Sequence, residues 1–180
     1  MDTTKTEEQF KRVMDECRTL FAKKLHDYGA SWRILRPSSL TDQLFIKAKR
    51  IRSLEITGTS LVGEGIRPEF IALINYGIIG LIQLEKGYVD TVDTKPEEAL
   101  ALYDAHAKEC LELMLRKNHD YNEAWRDMRI SSYTDFILTK IQRIKEIEGL
   151  DGKTLVSEGI VSNYMDIINY ACFGAIKMAE

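Results

Sequence analysis

The chain has 180 residues, 44% hydrophobic and 29% charged, enough for one substantial core and too balanced for a disordered segment. Its formal net charge of −3 and isoelectric point near 5.7 leave no strong footprint for a nucleic-acid backbone, which demands clustered lysine and arginine. No apolar run approaches the ~20 residues that span a bilayer, and the start MDTTKTEEQFKR has no apolar signal segment, so the expectation is a cytoplasmic protein without membrane contact.

In chain order, Thr4 and Glu7 offer a capping box, and Phe10, Val13, Met14, Cys17, Leu20 and Phe21 follow at spacings that predict an amphipathic helix. The stretch HDYGASWR from His26 breaks that stripe and reads as a loop or short turn. A second helix is expected from Asp42 to Glu55 with Thr41 as its cap. After TGTSLVGEG a third begins near Arg67-Pro68, and FIALINYGIIGLIQL, apolar on nearly every side, marks the most buried element. The segment GYVDTVDTK leads to a new helix start at Thr94, Pro96 and Glu97, with the stripe Tyr103, Ala107, Cys110, Leu113 and Met114. The stretch HDYNEAWR from His119, a helix from Asp135 to Glu148 capped by Thr134, the loop LDGKTLVSEG and a last helix from near Ser162 complete the chain. No useful period-two alternation occurs, so the fold class is all-α.

Shifted by 93 positions, Glu16–Glu55 falls on Glu109–Glu148 with 18 of 40 pairs identical, against about two or three expected from ordinary residue frequencies. After a one-residue difference in the following loop, Ile74, Asn75, Tyr76 and Gly80 recur as Ile168, Asn169, Tyr170 and Gly174. The chain therefore reads as a tandem duplication of a three-helix unit, residues 1–88 and 89–180. The two repeats are expected to pack as one globular unit, a pseudo-twofold six-helix bundle that imitates a symmetric dimer. Cys17, Cys110 and Cys172 fall in apolar patterns without metal-ligand spacing and read as buried free thiols.

Asp27, Tyr28 and Trp32, and their counterparts Asp120, Tyr121 and Trp125, sit where a rigid scaffold often presents binding residues. An aromatic plane beside hydrogen-bonding groups suits a nucleobase, whose stacking contributes ~1–3 kcal/mol per base; the alternative is that Trp and Tyr anchor the loop to the core. Lys47 with Arg50, and Lys140 with Arg143, stand three apart on one helix face. They suit phosphate, or else form salt bridges to Asp42 and Asp135 among others. In NYMDIINY, Asn163, Asp166, Asn169 and Tyr170 recur at helical spacing on an apolar helix. Asp166 is either satisfied internally by Lys140 or Arg143, or faces a cleft and binds a divalent cation. Ala72 and Glu69 stand at the positions of Asp166 and Asn163, so the second unit is the better equipped for metal chemistry. Glu109 falls at the edge of the apolar face, whereas Glu112 faces solvent. Glu64 and Glu158 are further carboxylate candidates, or favour the start of the third helix through its dipole. His26 and His119 have no nucleophile at an informative spacing, so a triad is unsupported.

The motifs K-x-H-D-Y-x-x-x-W, K-x-x-R and D-I-I-N-Y resemble the nucleotide-modification-associated helical domain, formerly a domain of unknown function, in two copies over nearly the whole chain. That resemblance implies a setting in nucleotide or modified-base metabolism. Carried residue by residue, it points to Asp120, Tyr121, Trp125, Lys140, Arg143, Asp166 and Asn169 as site residues, all but Asp166 as substrate-binding, with Asp27, Tyr28, Trp32, Lys47, Arg50 and Asn75 as first-unit counterparts. A second likeness is to the all-α nucleoside triphosphate pyrophosphohydrolases, which bind magnesium through Glu and Asp pairs at helical spacing. This chain has no clear E-x-x-E followed by E-x-x-D, since Asn163 replaces Glu ahead of Asp166. The leading expectation is a nucleotide-binding protein, in its finer form a magnesium-dependent pyrophosphohydrolase with Asp166, Glu109 and Glu158 as metal-binding, catalytic carboxylates. The competing expectation is a non-catalytic helical module that binds a protein partner or assembles with itself as a homo-oligomer.

Overall fold

The computed structural model describes residues 4–58, 65–150 and 159–179, which form six α-helices and no strand. They are α1 (Thr4–Tyr28), α2 (Pro37–Thr57), α3 (Arg67–Lys86), α4 (Pro96–Tyr121), α5 (Ile130–Gly149) and α6 (Ile160–Met178), and single 3-10 turns at Ser31–Ile34 and Ala124–Asp127 join α1 to α2 and α4 to α5. None of the described helices is long and apolar enough to cross a membrane.

The duplication is visible as mirrored contacts. Each helix packs on its own counterpart, α1 on α4, α2 on α5 and α3 on α6, the last pair most extensively. Thr41 donates to Glu148 at 2.9 Å while Thr134 donates to Glu55 at 3.1 Å, the same bond made twice across the α2–α5 contact. At the α3–α6 crossing, Gly80 lies against the Tyr164 ring, and its counterpart Gly174 lies against Phe70, where a Cβ would come within 2.8 Å of the ring. Glycine is required at both places because any side chain would occupy the ring's volume. The apolar sequence of α3 and α6 is thereby explained: both helices are buried on most sides, and the core includes Phe70, Leu73, Ile74, Ile78, Ile167 and Ile168.

The loops are tied down in a matching way. The side chain of Gln83, near the end of α3, donates to the carbonyls of Arg33 and Leu35, and Lys177, near the end of α6, donates to those of Arg126 and Met128. Gly29 (φ 65°) and Asn122 (φ 56°) take the left-handed conformation that turns the chain after α1 and α4.

Three helix starts differ from the sequence expectation. α2 and α5 begin at Pro37 and Ile130 rather than after Thr41 and Thr134. Proline suits the first turn because its missing N–H has no partner there in any case. Thr41 and Thr134 thus lie inside their helices, and their hydroxyls serve the cross-unit glutamates instead of capping. Thr94 does not cap α4; it donates to Asp93 at 2.8 Å and accepts from Arg33 at 3.2 Å. α6 starts at Ile160, two residues ahead of the expected Ser162. All three cysteines are free and buried, and burial pushes the Cys17 thiol up to about 12.

Candidate functional site

Two clefts open at equivalent places in the two units, each bounded by all three helices of the unit and the 3-10 turn after the first. The first is a cavity of about 500 Å³ reached by Lys24, Tyr28, Trp32, Lys47, Asn75 and Tyr76. The second, about 320 Å³, is lined by Lys117, Tyr121, Trp125, Asp166, Asn169 and Tyr170. Apart from Lys47, these are the same positions in the duplication, with Ala72 lining the first cleft where Asp166 lines the second. Bulkier residues narrow the second cleft: Phe136 replaces Gln43 and Phe173 replaces Ile79.

The polar centre of the second cleft is Asp166, buried on α6. Lys117 from α4 reaches its Oδ1 at 2.8 Å and Lys140 from α5 its Oδ2 at 3.0 Å. Asp166 thus both lines the cleft and is ion-paired within the chain, by Lys140 and Lys117 rather than by Arg143, which pairs with Glu146 at 3.3 Å outside the cleft. In the first unit the acid sits one helical turn earlier: Glu69 receives Arg50 at 2.9 Å and Lys47 at 3.7 Å.

The two asparagines on the third helices begin alike and end differently. Asn75 donates to the Cys17 carbonyl at 3.1 Å, and Asn169 to the Cys110 carbonyl at 3.2 Å, which fixes both amide orientations. Asn75 Oδ1 then accepts from the Tyr103 hydroxyl at 2.7 Å. The counterpart of Tyr103 is Phe10, which has no hydroxyl, and Asn169 Oδ1 is buried without a hydrogen-bond partner. Asn118, where the first unit has Leu25, adds a buried Nδ2 that completes no hydrogen bond although it stands beside the Glu123 carboxylate. Buried polar atoms in native proteins are nearly always paired, so these two mark the cleft as chemically unfinished.

Aromatic rings form the remaining walls. Tyr170 packs against Phe136 at 5.5 Å and Tyr133 at 6.3 Å between centroids. Burial, then the neighbouring Asp166 charge, raise its phenol above the usual range. Tyr121 stands at the mouth, 68% exposed. Trp125 is not a free stacking platform: it is buried, with Phe173 stacked on it at 4.6 Å and 9° and the Arg126 guanidinium over it at 4.5 Å. Its indole N–H donates to Glu123 at 3.0 Å, so it anchors the loop. Burial alone would raise Glu123, but hydrogen bonds from Thr6 and Trp125, the nearby Asn118 amide and the charge of Arg126 outweigh it and hold the carboxyl below the usual range. Glu123 also takes a positive φ of 62°, uncommon for a residue other than glycine. Trp32 is half-buried and tilted against Phe21 at 6.1 Å.

Other expected site residues lie elsewhere. Asp27 and Asp120 are exposed, outside both clefts, and pair with the adjacent His26 and His119 at 3.2 and 3.3 Å. Both acids lie in the last turn of a helix, α1 and α4, rather than on the expected loop, with their carboxylates exposed. Glu109 is exposed, sits 3.6 Å from His106 and does not line the cleft. Glu158 and Glu64 lie outside the described residues. Among the described residues no group of three His, Cys, Asp or Glu side chains is placed to hold a metal ion. Two ammonium groups already occupy the space about the Asp166 carboxylate, where a dication would meet their repulsion, so the described residues do not fit magnesium.

Sequence reasoning missed Lys24 and Lys117 as site residues although both stand in the K-x-H-D-Y motif; their helical phase after the stripe ending at Phe21 and Met114 was the available signal. Asn118 carried none, since Leu25 stands at its place in the other unit, and Glu69 showed only as the departure at the position of Asn163.

A family model described as nucleotide modification associated domain 1 matches residues 24–84 and again 117–178, spanning the cleft-forming segments of each unit. Neither the curated proteins nor the solved structures contain a match to the chain.

Proposed function

The chain belongs to the nucleotide modification associated domain 1 family, and from that premise we propose that it binds a nucleotide, with the base in the second cleft. What carries the reading is Asn169 Oδ1, a buried acceptor without a partner on the wall of an aromatic-lined cavity. A base edge presenting N–H satisfies it, and an adjacent ring carbonyl accepts from Asn118 Nδ2. Such a lactam edge, with donor beside acceptor, occurs on uracil, thymine and guanine. Tyr170 and Phe136 give apolar ring faces against which a base can pack, and the volume of about 320 Å³ is at the small end of ligand pockets, about 300–1,000 Å³. Lys117, 44% exposed, stands toward the mouth, where phosphates of a bound nucleotide emerge. Lys140 serves Asp166, and Arg143 has no part in the grip.

Thermal unfolding against a panel of ribo- and deoxyribonucleosides and their phosphates tests this, because a ligand at ~100 times its dissociation constant stabilises by ~2.7 kcal/mol. The expected result is selective stabilisation by lactam-bearing bases, weakened about tenfold in Asn169→Leu, the equivalent of one lost hydrogen bond of ~1.4 kcal/mol. The readout is the response to ligand, so a general loss of stability in the variant does not imitate it. No shift with any base overturns the reading in favour of a helical interaction module. Pyrophosphate release in the same samples, dependent on magnesium and lost in Asp166→Asn, is the result the hydrolase reading requires.

A further inference from the structure

We propose that the first cleft is an anion site, holding a phosphate or carboxylate group between Lys24 and Lys47 in the place that the Asp166 carboxylate fills in the second cleft. The protein supplies its own reference state. In the second unit, Lys117 and Lys140 take separate oxygens of one carboxylate at 2.8 and 3.0 Å, a two-pronged clamp converging from two helices onto a third. Their counterparts Lys24 and Lys47 both line the first cleft, but the residue opposite them is Ala72. Both lysines are retained on the lining, and the carboxylate that they hold in the second unit is replaced by a methyl group.

The nearby acid does not replace it. Glu69 sits a turn earlier on α3, its Oε1 engaged by Arg50 at 2.9 Å, and Lys47 stays 3.7 Å from it, beyond hydrogen-bond distance. Glu69 Oε2 is buried and accepts no hydrogen bond. Lys24 forms no ion pair among the described residues. Two lysines therefore line the cavity, and among the described residues its one carboxylate, Glu69, is shared by Lys47 and Arg50, which leaves Lys24 without an ion pair and Lys47 outside hydrogen-bond distance of one, both able to make charge-assisted bonds to an oxyanion. The unfilled Glu69 oxygen gives the ligand a second requirement, a hydrogen-bond donor such as a hydroxyl or a protonated phosphate oxygen. The larger volume, about 500 Å³ against about 320 Å³, leaves room for the organic part of a phosphorylated or carboxylated molecule beside Trp32 and Tyr76. This inference concerns a different cavity from the base site and does not depend on it.

Amide and lysine-amine NMR spectra of the full chain, titrated separately with inorganic phosphate and with acetate at constant ionic strength, test the site. Saturable shifts at Lys24, Lys47 and Ala72 are expected, and the order of the two affinities assigns the source as phosphate or carboxylate. Ala72→Asp places a carboxylate in the clamp and is expected to weaken binding at least tenfold while raising the melting temperature of the free protein. Lys24→Met, on an exposed stretch of α1, is expected to weaken binding similarly without loss of fold. Asp166→Ala is expected to add a second anion per chain, at Lys117 and Lys140. Absence of saturable shifts at the first cleft for both anions, or binding that survives Ala72→Asp and Lys24→Met unchanged, overturns the proposal.

Discussion

Arg33 and Arg126 are one residue in the duplication and two different energetic objects. Arg33 is 1% exposed and donates to Gln83, the Gly87 carbonyl and Thr94, with Asp93 at 3.3 Å, so a full charge is buried among four acceptors. Arg126 keeps contact with water and reaches Thr6 and Gln9 at the start of α1. Removing the first strands the buried Gln83 oxygen, at a cost of about 1–3 kcal/mol per orphaned group; removing the second costs less, because its partners Thr6 and Glu123 keep the hydrogen bond they make to each other. Denaturant unfolding of Arg33→Met and Arg126→Met is expected to show that order, and equal losses would mean that burial does not set the difference. Neither environment was legible from the W-R dipeptide, because the burying groups come from the end of α3 and from the segment before α4. The same holds for Asn75 and Asn169, identical letters whose difference lies in Tyr103 and Phe10 on other helices.

Among the elements, α2 and α5 show both what sequence pattern conveys and where it stops. Their helical identity was readable, since the apolar spacing of Leu44, Ala48 and Ile51, or Ile137, Ile141 and Ile144, matches the buried face. Their starts were misplaced because Thr41 and Thr134 have cap-forming side chains, and only the packed pair reveals glutamate partners on the opposite helix. Burial raises both Glu55 and Glu148 above the ordinary glutamate value of 4.5, the threonine bonds pulling the other way without cancelling it. An acid raised on folding opposes stability when ionised: the penalty is full at neutral pH, shrinks as pH falls through the folded-state value, and is gone below 4.5, where both states are protonated. The double variant Glu55→Gln, Glu148→Gln keeps an acceptor for each threonine and carries no charge. Its melting temperature is expected to exceed that of the parent at pH 7 and to match it near pH 4. A gain of equal size at both would remove burial of charge as the cause.

Across the whole molecule, we read residues 1–88 and 89–180 as two copies of one unit whose divergence, more than their likeness, creates sites. A symmetric ancestor built from second-type units would set Asn169 of each copy against Tyr103 of the other, closing both acceptors as Asn75 is closed here. Phenylalanine at position 10 breaks that closure on one side alone, and alanine at position 72 removes the anion from the clamp on the other. Each loss occurs where its opposite copy still shows the completed arrangement, so each can be repaired by copying one residue across the axis. Phe10→Tyr is the sharper repair. Phe10 is buried and packs 6.4 Å from Phe173 on the wall of the second cleft, and a hydroxyl added there stands toward Asn169 Oδ1 as Tyr103 does toward Asn75. The expected result is a stability gain of about 1 kcal/mol from the completed hydrogen bond, measured by denaturant unfolding, together with a loss of about tenfold in affinity for any ligand that uses the acceptor. Gained stability with unchanged ligand binding would separate the acceptor from the base site and leave it a packing defect; loss of both would mean that the α1–α6 contact has no room for the oxygen, and that phenylalanine there is a matter of volume.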